Sequence, residues 1–284
     1  MQNNSNSKHG TLFIVATPIG NLEDMTFRAV RTLKEVDLIA CEDTRHTKKL
    51  LNHFQIQTKL ISYYREKEAS RSKTIINDIC AGRNVALVSD AGMPCISDPG
   101  YRLVAAAHDK GIIVVAIPGA SALVSSVAIS GLNSDSFLFC GFLPSKKNER
   151  RKYLQSLISQ KSLLIFYESP HRLLRSLKDC FEVLGDRTAA LCKEITKMHE
   201  QCFRAPLSQI IDEITKKPIK GEYVLVLEGN SSKDLPPQTE DLHQLLIWYR
   251  DEAGVSLKDA VKTIAQDLGL SRSKVYAEAL KVWK

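Results

Sequence analysis

Apolar residues in the first half of the chain fall into runs of five or six, separated by stretches in which they recur every three or four positions. The runs at 11–16, 37–41, 59–63, 84–88 and 112–117 predict strands, and the periodic stretches at 26–36, 44–54, 67–81, 101–110 and 120–130 predict helices. Alternating strands and helices, with runs apolar on both faces, imply a mainly parallel sheet covered by helices on both sides. Residues 111–134 carry no charge and are long enough to span a bilayer. Pro118-Gly119 and several serines interrupt them, so they are read as a buried strand, a sharp loop and a buried helix of small residues.

The pattern changes after Pro144. A basic helix is predicted at 146–158, followed by a strand at 162–167, a helix at 171–184, a strand at 188–192, a hairpin partner near 199–204 and a strand at 222–228. That is a second, mixed α/β domain. Residues 230–239 have the composition of a linker, and 240–284 show three helical stretches with Gly269-Leu270-Ser271 as the second turn, the shape of a helix-turn-helix. The expected organisation is therefore an N-terminal α/β domain over 11–143, a mixed α/β domain over 144–229, the linker, and a small three-helix element over 240–284.

A chain of 284 residues is long enough for two well-buried cores, and 44% hydrophobic with 25% charged residues excludes wholesale disorder. The net charge of +7 is unevenly placed: residues 1–143, 144–220 and 221–284 carry +2, +7 and −2. An excess confined to the middle block is a candidate footprint for a phosphate backbone, against the commoner reading of an evenly solvated surface. The seven cysteines form no C-x-x-C pair and the histidines never reach ligand spacing with them, so no metal is expected. Unpaired cysteines and a polar N-terminus without an apolar signal segment point to a reducing, cytoplasmic location.

Three loops at strand carboxyl ends are built from residues that let backbone approach a ligand. They are Pro18-Ile19-Gly20-Asn21, then Ser89-Asp90-Ala91-Gly92-Met93-Pro94 running into Ser97-Asp98-Pro99-Gly100, then Pro118-Gly119-Ala120-Ser121. Parallel sheets bind ligands at this end. None of the loops is a G-x-G-x-x-G or a G-x-x-x-x-G-K-[ST] phosphate cradle, which favours a ligand with little phosphate. Glu42-Asp43-Thr44-Arg45 follows another strand: Asp43 or Thr44 caps the next helix on the bland reading, whereas Arg45, a cation opposing the helix dipole, calls for an anionic partner. Tyr167-Glu168-Ser169-Pro170-His171-Arg172 and Lys193-Glu194 add polar density at strand ends of the second domain, as an inter-domain cleft requires.

The strings T-L-F-I-V-A-T-P-I-G-N-L-E-D (11–24), C-E-D-T-R-H-T-K-K-L-L (41–51), S-D-A-G-M-P-C-I-S-D-P-G (89–100), I-P-G-A-S-A (117–122), G-F-L-P (141–144), Y-E-S-P-H-R-L (167–173) and G-E-Y-V-L-V-L-E-G (221–229) together resemble the tetrapyrrole methylase superfamily. E-D-T-R and Y-E-S-P-H-R resemble its branch that acts on ribosomal RNA. The resemblance implies two α/β domains holding S-adenosylmethionine in the cleft between them, a homodimer, and methylation of the ribose 2′-hydroxyl of a decoding-region cytidine in 16S rRNA, within the small ribosomal subunit.

On that reading the cofactor is held by Pro18, Gly20, Ser89, Asp90, Ala91, Gly92, Ile96, Ser97, Pro118, Gly119 and Ala120. Glu42, Asp43, Arg45, Glu168 and His171 form the catalytic set at the target nucleotide, with Glu194 nearby. Lys146, Lys147, Arg150, Arg151, Lys152, Arg172 and Lys193 contact RNA. Two alternatives compete with it: a porphyrin or corrin methyltransferase of the same fold, whose polyanionic substrate also suits Arg and Lys, and a nucleic-acid-binding regulator that uses the tail helices.

Overall fold

The computed structural model describes residues 9–216, 218–230 and 241–283. The chain forms two compact units, one reaching Gly229 and one beginning at Asn230.

The first sheet of the larger unit is wholly parallel. Its strands are β1 (Thr11–Val15), β2 (Leu38–Cys41), β3 (Leu60–Ser62), β4 (Val85–Val88) and β5 (Ile113–Ile117), in the order β3-β2-β4-β1-β5. Helices α1 (Phe27–Glu35), α2 (Thr44–His53), α3 (Glu68–Cys80) and α4 (Tyr101–Asp109) connect them. The two-residue period of the strands sorts the cores. Leu12, Leu38, Val85 and Leu87 pack against Ile75 and Ile79 of α3 and Leu103 of α4. Val15, Ile39, Ala86 and Val88 pack on the other face against Ala29 and Leu33 of α1 and Leu51 of α2. β2 and β4 are buried along their whole length, as the double-sided apolar runs require. Thr26 caps α1 by accepting from Ala29 N, and Asp43 caps α2 by accepting from Arg45 N.

The second sheet is mixed, in the order β6-β7-β10-β8-β9, built from β6 (Phe137–Phe142), β7 (Leu163–Glu168), β8 (Thr188–Lys193), β9 (Gln201–Pro206) and β10 (Tyr223–Leu227). Only β6 and β7 run parallel; the other neighbours are antiparallel. One face carries α6 (Lys147–Gln155), α7 (Pro170–Leu184) and α8 (Leu207–Thr215) over Phe166, Leu191 and Leu225. The opposite face packs Ile165, Ala190, Cys192, Val224 and Val226 against Leu123 and Val127 of α5 (Ala122–Ser130) and against Ile19. α5 follows the last strand of the first sheet yet covers the second, and so locks the two sheets together.

Three points of the sequence reading need correction. The run 137–142 was not expected as a strand and lay within the first domain; it is the edge strand β6 of the second sheet, so that sheet begins before Pro144. A register shift between Phe139 and Gly141, with Gly141 at φ +64°, breaks its alternation. α8 was likewise not anticipated. The uncharged segment 111–134 becomes β5, a loop and α5 as expected, and no described helix is long and apolar enough to cross a membrane, but the expected burial is incomplete: β5 is an edge strand with Ile113 exposed, and Val124 and Ile129 of α5 are exposed as well.

The smaller unit consists of α9 (Leu242–Asp251), α10 (Leu257–Asp267) and α11 (Arg272–Val282) around Leu246, Ile264, Val275 and Ala279. Gly269, left-handed at φ +62°, makes the turn between α10 and α11. Apart from Asn230, the linker expected at 230–239 lies outside the described residues.

Candidate active site

The loops after β1 and β4 are tied at their roots. Thr17 and Gly92 exchange backbone hydrogen bonds, Thr17 N donating to Gly92 O at 2.9 Å and Gly92 N to Thr17 O at 3.0 Å. Thr17 Oγ1 donates to Ser89 O at 3.0 Å, and the buried Ser89 hydroxyl donates to Gly92 O at 3.1 Å. Gly92 sits at φ +79°, where a side chain would be strained. The loop after β5 approaches just as closely, since a Cβ on Gly119 would lie 3.0 Å from Ala16 Cβ.

These loops form one wall of a cleft of about 480 Å³ between the two sheets. Asp90–Met93, Ile96–Asp98 and Ser121–Ala122 line the first-sheet side; Phe142, Tyr167–Pro170, Ile195 and Glu222–Val224 line the other. Four lining residues are acidic, Asp90, Asp98, Glu168 and Glu222, and among the described residues that line it there is no lysine or arginine. The cleft is an anionic slot with apolar walls.

Of the eleven residues expected to hold the cofactor, Asp90, Ala91, Gly92, Ile96 and Ser97 line this cleft. Pro18, Gly20, Ser89, Pro118, Gly119 and Ala120 do not line it. Ser89 and Gly119 set the backbone path as described, Ala120 O faces Gly92, and Gly20 is covered by the Lys197 side chain.

The expected catalytic set is divided. Glu168 lines the cleft but is buried and engaged: Ser176 Oγ donates to Oε2 at 2.5 Å, Ser169 N to Oε1 at 2.9 Å, and Arg172 Nε lies 3.3 Å from Oε1. Asp43 is the α2 cap and pairs with Arg45 at 2.9 Å, an interaction that holds its carboxyl well below the usual carboxylate range. The anionic partner called for by Arg45 is therefore its own cap residue, with the guanidinium left 89% exposed. His171 is exposed in the first turn of α7 and does not line the cleft. Glu42 does not line the cleft, and its carboxyl is pushed up by burial and then by Asp90. Glu194 accepts from Glu222 N at 2.8 Å and pairs with Lys197, which closes a structural knot at the end of β8.

Asp98 was placed in the second ligand loop by the sequence reading but was given no role. It lines the cleft, and its carboxyl is pushed up to about 6, by burial first and by Glu42 second, with the nearby Ser89 hydroxyl acting the other way. Met93 and Tyr167, which the sequence reading placed in strand-end segments without a role, also line the cleft, as do Phe142 and Ile195, apolar residues that strand-end polarity could not reveal.

The basic set needs correction. Arg150 is buried at 2% exposure, donates to Asp179 Oδ2 at 2.7 Å and to the carbonyls of Pro144 and Ser145, and so cannot meet a phosphate. Arg151 is turned toward Asp179 and Glu182. Arg172 points inward to Glu168 and the Leu143 carbonyl. Lys146, paired with Glu149, and Lys147 and Lys152 are exposed, whereas Lys193 is half-buried at the end of β8.

Comparison with known proteins gives the family and the fold of this chain. The model of the tetrapyrrole (corrin/porphyrin) methylases matches residues 11–211. Ribosomal RNA small subunit methyltransferase I of Halalkalibacterium halodurans is 48% identical over 276 residues, covering 94% of this chain and 93% of that one. The protein of the same name from Synechocystis is 45% identical, covering 96% and 98%. The crystal structure of uroporphyrin-III C-methyltransferase from Thermus thermophilus, complexed with S-adenosylhomocysteine, superposes with a TM-score of 0.54 at 19% identity, covering 77% of this chain and 97% of that one, and so supports the fold.

Proposed function

We propose, from the premise that this chain belongs to the tetrapyrrole methylase family and is a methyltransferase, that it transfers the methyl group of S-adenosylmethionine to the ribose 2′-hydroxyl of a decoding-region cytidine in 16S rRNA. The observation that carries this reading is the sign of the cleft. Four of its lining residues are acidic and none is basic; Glu168 and Glu222 have their own cations in Arg172 and Lys197, so Asp90 and Asp98 leave the cleft net anionic, which fits a ligand bearing a sulfonium and an ammonium and opposes a polycarboxylate macrocycle. At ~6 Å and an effective dielectric of ~20, each like-charge pair costs about 3 kcal/mol before screening. A tetrapyrrole carboxylate would meet such a pair at Asp90 and, when ionised, at Asp98.

S-adenosylmethionine, when bound, supplies an electrophilic methyl carbon with its own leaving group. The chain then has to hold the hydroxyl in line with that carbon, exclude water and accept a proton. Backbone at Ala91 and Gly92 and the side chains of Ile96 and Ser97 supply a close, uncharged bed for the adenosyl portion. Phe142 and Tyr167 form an aromatic edge, their rings 5.7 Å apart, at the mouth through which a nucleoside enters. RNA phosphate is met outside the cleft, by Lys146, Lys147 and Lys152 on the surface of α6.

The protein works as a homodimer in the cytoplasm, on the small subunit. α5 turns Ser126 and Ser130 inward while Val124 and Ile129 are left 60% and 44% exposed. Such a helix belongs in a core, and a second copy completes one. The test of the function is methyl transfer from labelled S-adenosylmethionine to unmodified small subunits, free 16S rRNA and uroporphyrinogen III in parallel, with the product mapped by nuclease digestion and mass spectrometry. Methylation at a cytidine ribose is expected; transfer to uroporphyrinogen instead would overturn the reading.

A further inference from the structure

Three of the four acidic residues lining the cleft are already engaged. Asp90 Oδ1 accepts from Asp43 N at 3.2 Å, Glu168 is held by Ser176, Ser169 and Arg172, and Glu222 pairs with Lys197 at 2.6 Å. Asp98 takes part in no ion pair among the described residues, although Arg65 is near enough to act on it. Its loop is nonetheless one of the most constrained in the fold. Cys95 and Ser97, on its N-terminal side, both have φ +69°, a left-handed conformation rare for residues with a side chain and concentrated at functional sites.

That conformation is held from both ends. Arg65 Nη2 donates to Ser97 O at 3.2 Å, and Glu68 Oε1 accepts from Gly100 N at 3.0 Å and from Arg102 N at 3.3 Å. A Cβ on Gly100 would lie 2.4 Å from Cys95 Sγ, so the turn closes only with glycine. A carboxylate held rigidly in a cleft and left without a counter-ion is arranged for a partner that arrives.

We propose that Asp98 is the catalytic base, the group that receives the proton of the attacking hydroxyl, and that Glu42 is the positioning residue that tunes it. The assignment rests on the methyl-transfer reading above. In the step, the hydroxyl O–H bond breaks as its proton passes to an Asp98 carboxylate oxygen. The oxygen forms its bond to the methyl carbon, and the carbon–sulfur bond breaks with its electron pair left on sulfur. One positive and one negative charge disappear together, which a low-dielectric cleft favours. Asp98 later returns the proton to solvent.

The surrounding charges agree with this role. Burial and the carboxylates of Glu42 and Asp90 raise Asp98 to about 6, while the Ser89 hydroxyl and Arg65 oppose them; Cys95 in the same loop and Tyr167 on β7 are the other titratable groups that feel it. A base poised just below neutrality is ionised at working pH and still basic enough to take a proton.

Single-turnover methylation of small subunits between pH 5 and 9 tests the assignment. The wild-type rate is expected to rise with pH through a limb near 6 and then level off. Asp98→Asn should lower the plateau by ~10²- to 10⁴-fold and abolish the limb. Glu42→Gln, which removes a like charge, should move the limb to lower pH, a displacement that a merely structural role would not produce. A ¹³C NMR titration of the Asp98 carboxyl in the ligand-free wild-type and Glu42→Gln proteins reads the same shift without catalysis, and serves if Asp98→Asn fails to fold. An Asp98→Asn protein that methylates within threefold of wild type, or an Asp98 carboxyl that titrates near 4 in both proteins, overturns the assignment alone. Absence of ribose methylation by the wild-type protein removes the parent reading and this one with it.

Discussion

Replacing Arg150 by methionine should separate a structural arginine from an RNA contact. The side chains of Arg150 and Asp179 are 2% and 5% exposed, and the guanidinium makes bonds of 2.7 Å to Asp179 Oδ2, 3.1 Å to Pro144 O and 3.0 Å to Ser145 O. Methionine fills much of the volume but leaves Asp179 buried with only Arg151 at 3.5 Å, and strands two carbonyls. Removing one partner of a buried, hydrogen-bonded pair costs about 3–5 kcal/mol. In a folding unit of this size each kcal/mol moves the melting temperature by roughly 2–4 °C, so a fall of roughly 6–20 °C is expected. The double variant Arg150→Met/Asp179→Leu should recover most of that loss, because it removes both buried charges. Differential scanning calorimetry on the full chain reads the stability. Filter binding of RNA at increasing salt, well below the melt, reads the contact, and its slope should be unchanged. A melt within ~2 °C of wild type, with a slope shallower by about 0.7–0.9 per lost phosphate contact, would refute the structural assignment.

Three further outcomes are expected. Gly92→Val places a branched side chain at φ +79°, with its Cβ 3.3 Å from Ile19 Cγ2 and facing Ala120 O, and should weaken S-adenosylmethionine binding by at least ~10-fold in isothermal titration; a folded variant of unchanged affinity removes this loop from the cofactor site. Neutralising the exposed Lys147 and Lys152 together should weaken RNA binding and flatten its salt dependence by about two contacts' worth, and an unchanged slope leaves them as solvated surface. Because the Asp98 carboxyl is raised to about 6 in the folded state, its protonated form favours folding below pH ~4 and that advantage is lost as pH rises through 6. Asp98→Asn should therefore melt higher than wild type at pH 8 and converge with it at pH 4; a pH-independent difference counts against the raised value.

The elements were legible because their signals are local, and the site was only half legible because its chemistry is a matter of partners. Runs such as 85–88, buried on both faces, and caps such as Asp43 before α2 announce themselves within a few residues. Strand β6 does not: 137–142 is an edge segment broken at Gly141, and its membership of the second sheet depends on pairing with β7, some two dozen residues later. Arg150 shows what a finer reading of period could have caught. Arg150 and Leu154 of α6 are spaced four apart, Leu157 follows three later, and all are buried, so this arginine stands on the apolar stripe, whereas Lys152 stands on the opposite face; Lys147, three before Arg150, shares the stripe's side but is exposed at the helix start.

Asp98 lies beyond any such pattern. In sequence it is one more acid in a Ser-Asp-Pro-Gly turn, indistinguishable from Asp43 or Glu168 at the other strand ends. What separates them is which carboxylates the fold consumes. Asp43 goes to a cap and to Arg45, Glu168 to Ser176 and Arg172, and Glu222 to Lys197. The residues that pin Asp98's loop, Arg65 and Glu68, lie thirty positions away and carry no mark of their purpose in a helical stretch rich in charge. A carboxylate becomes available for chemistry when every neighbouring cation has been spent elsewhere, and that condition exists only in the assembled cleft.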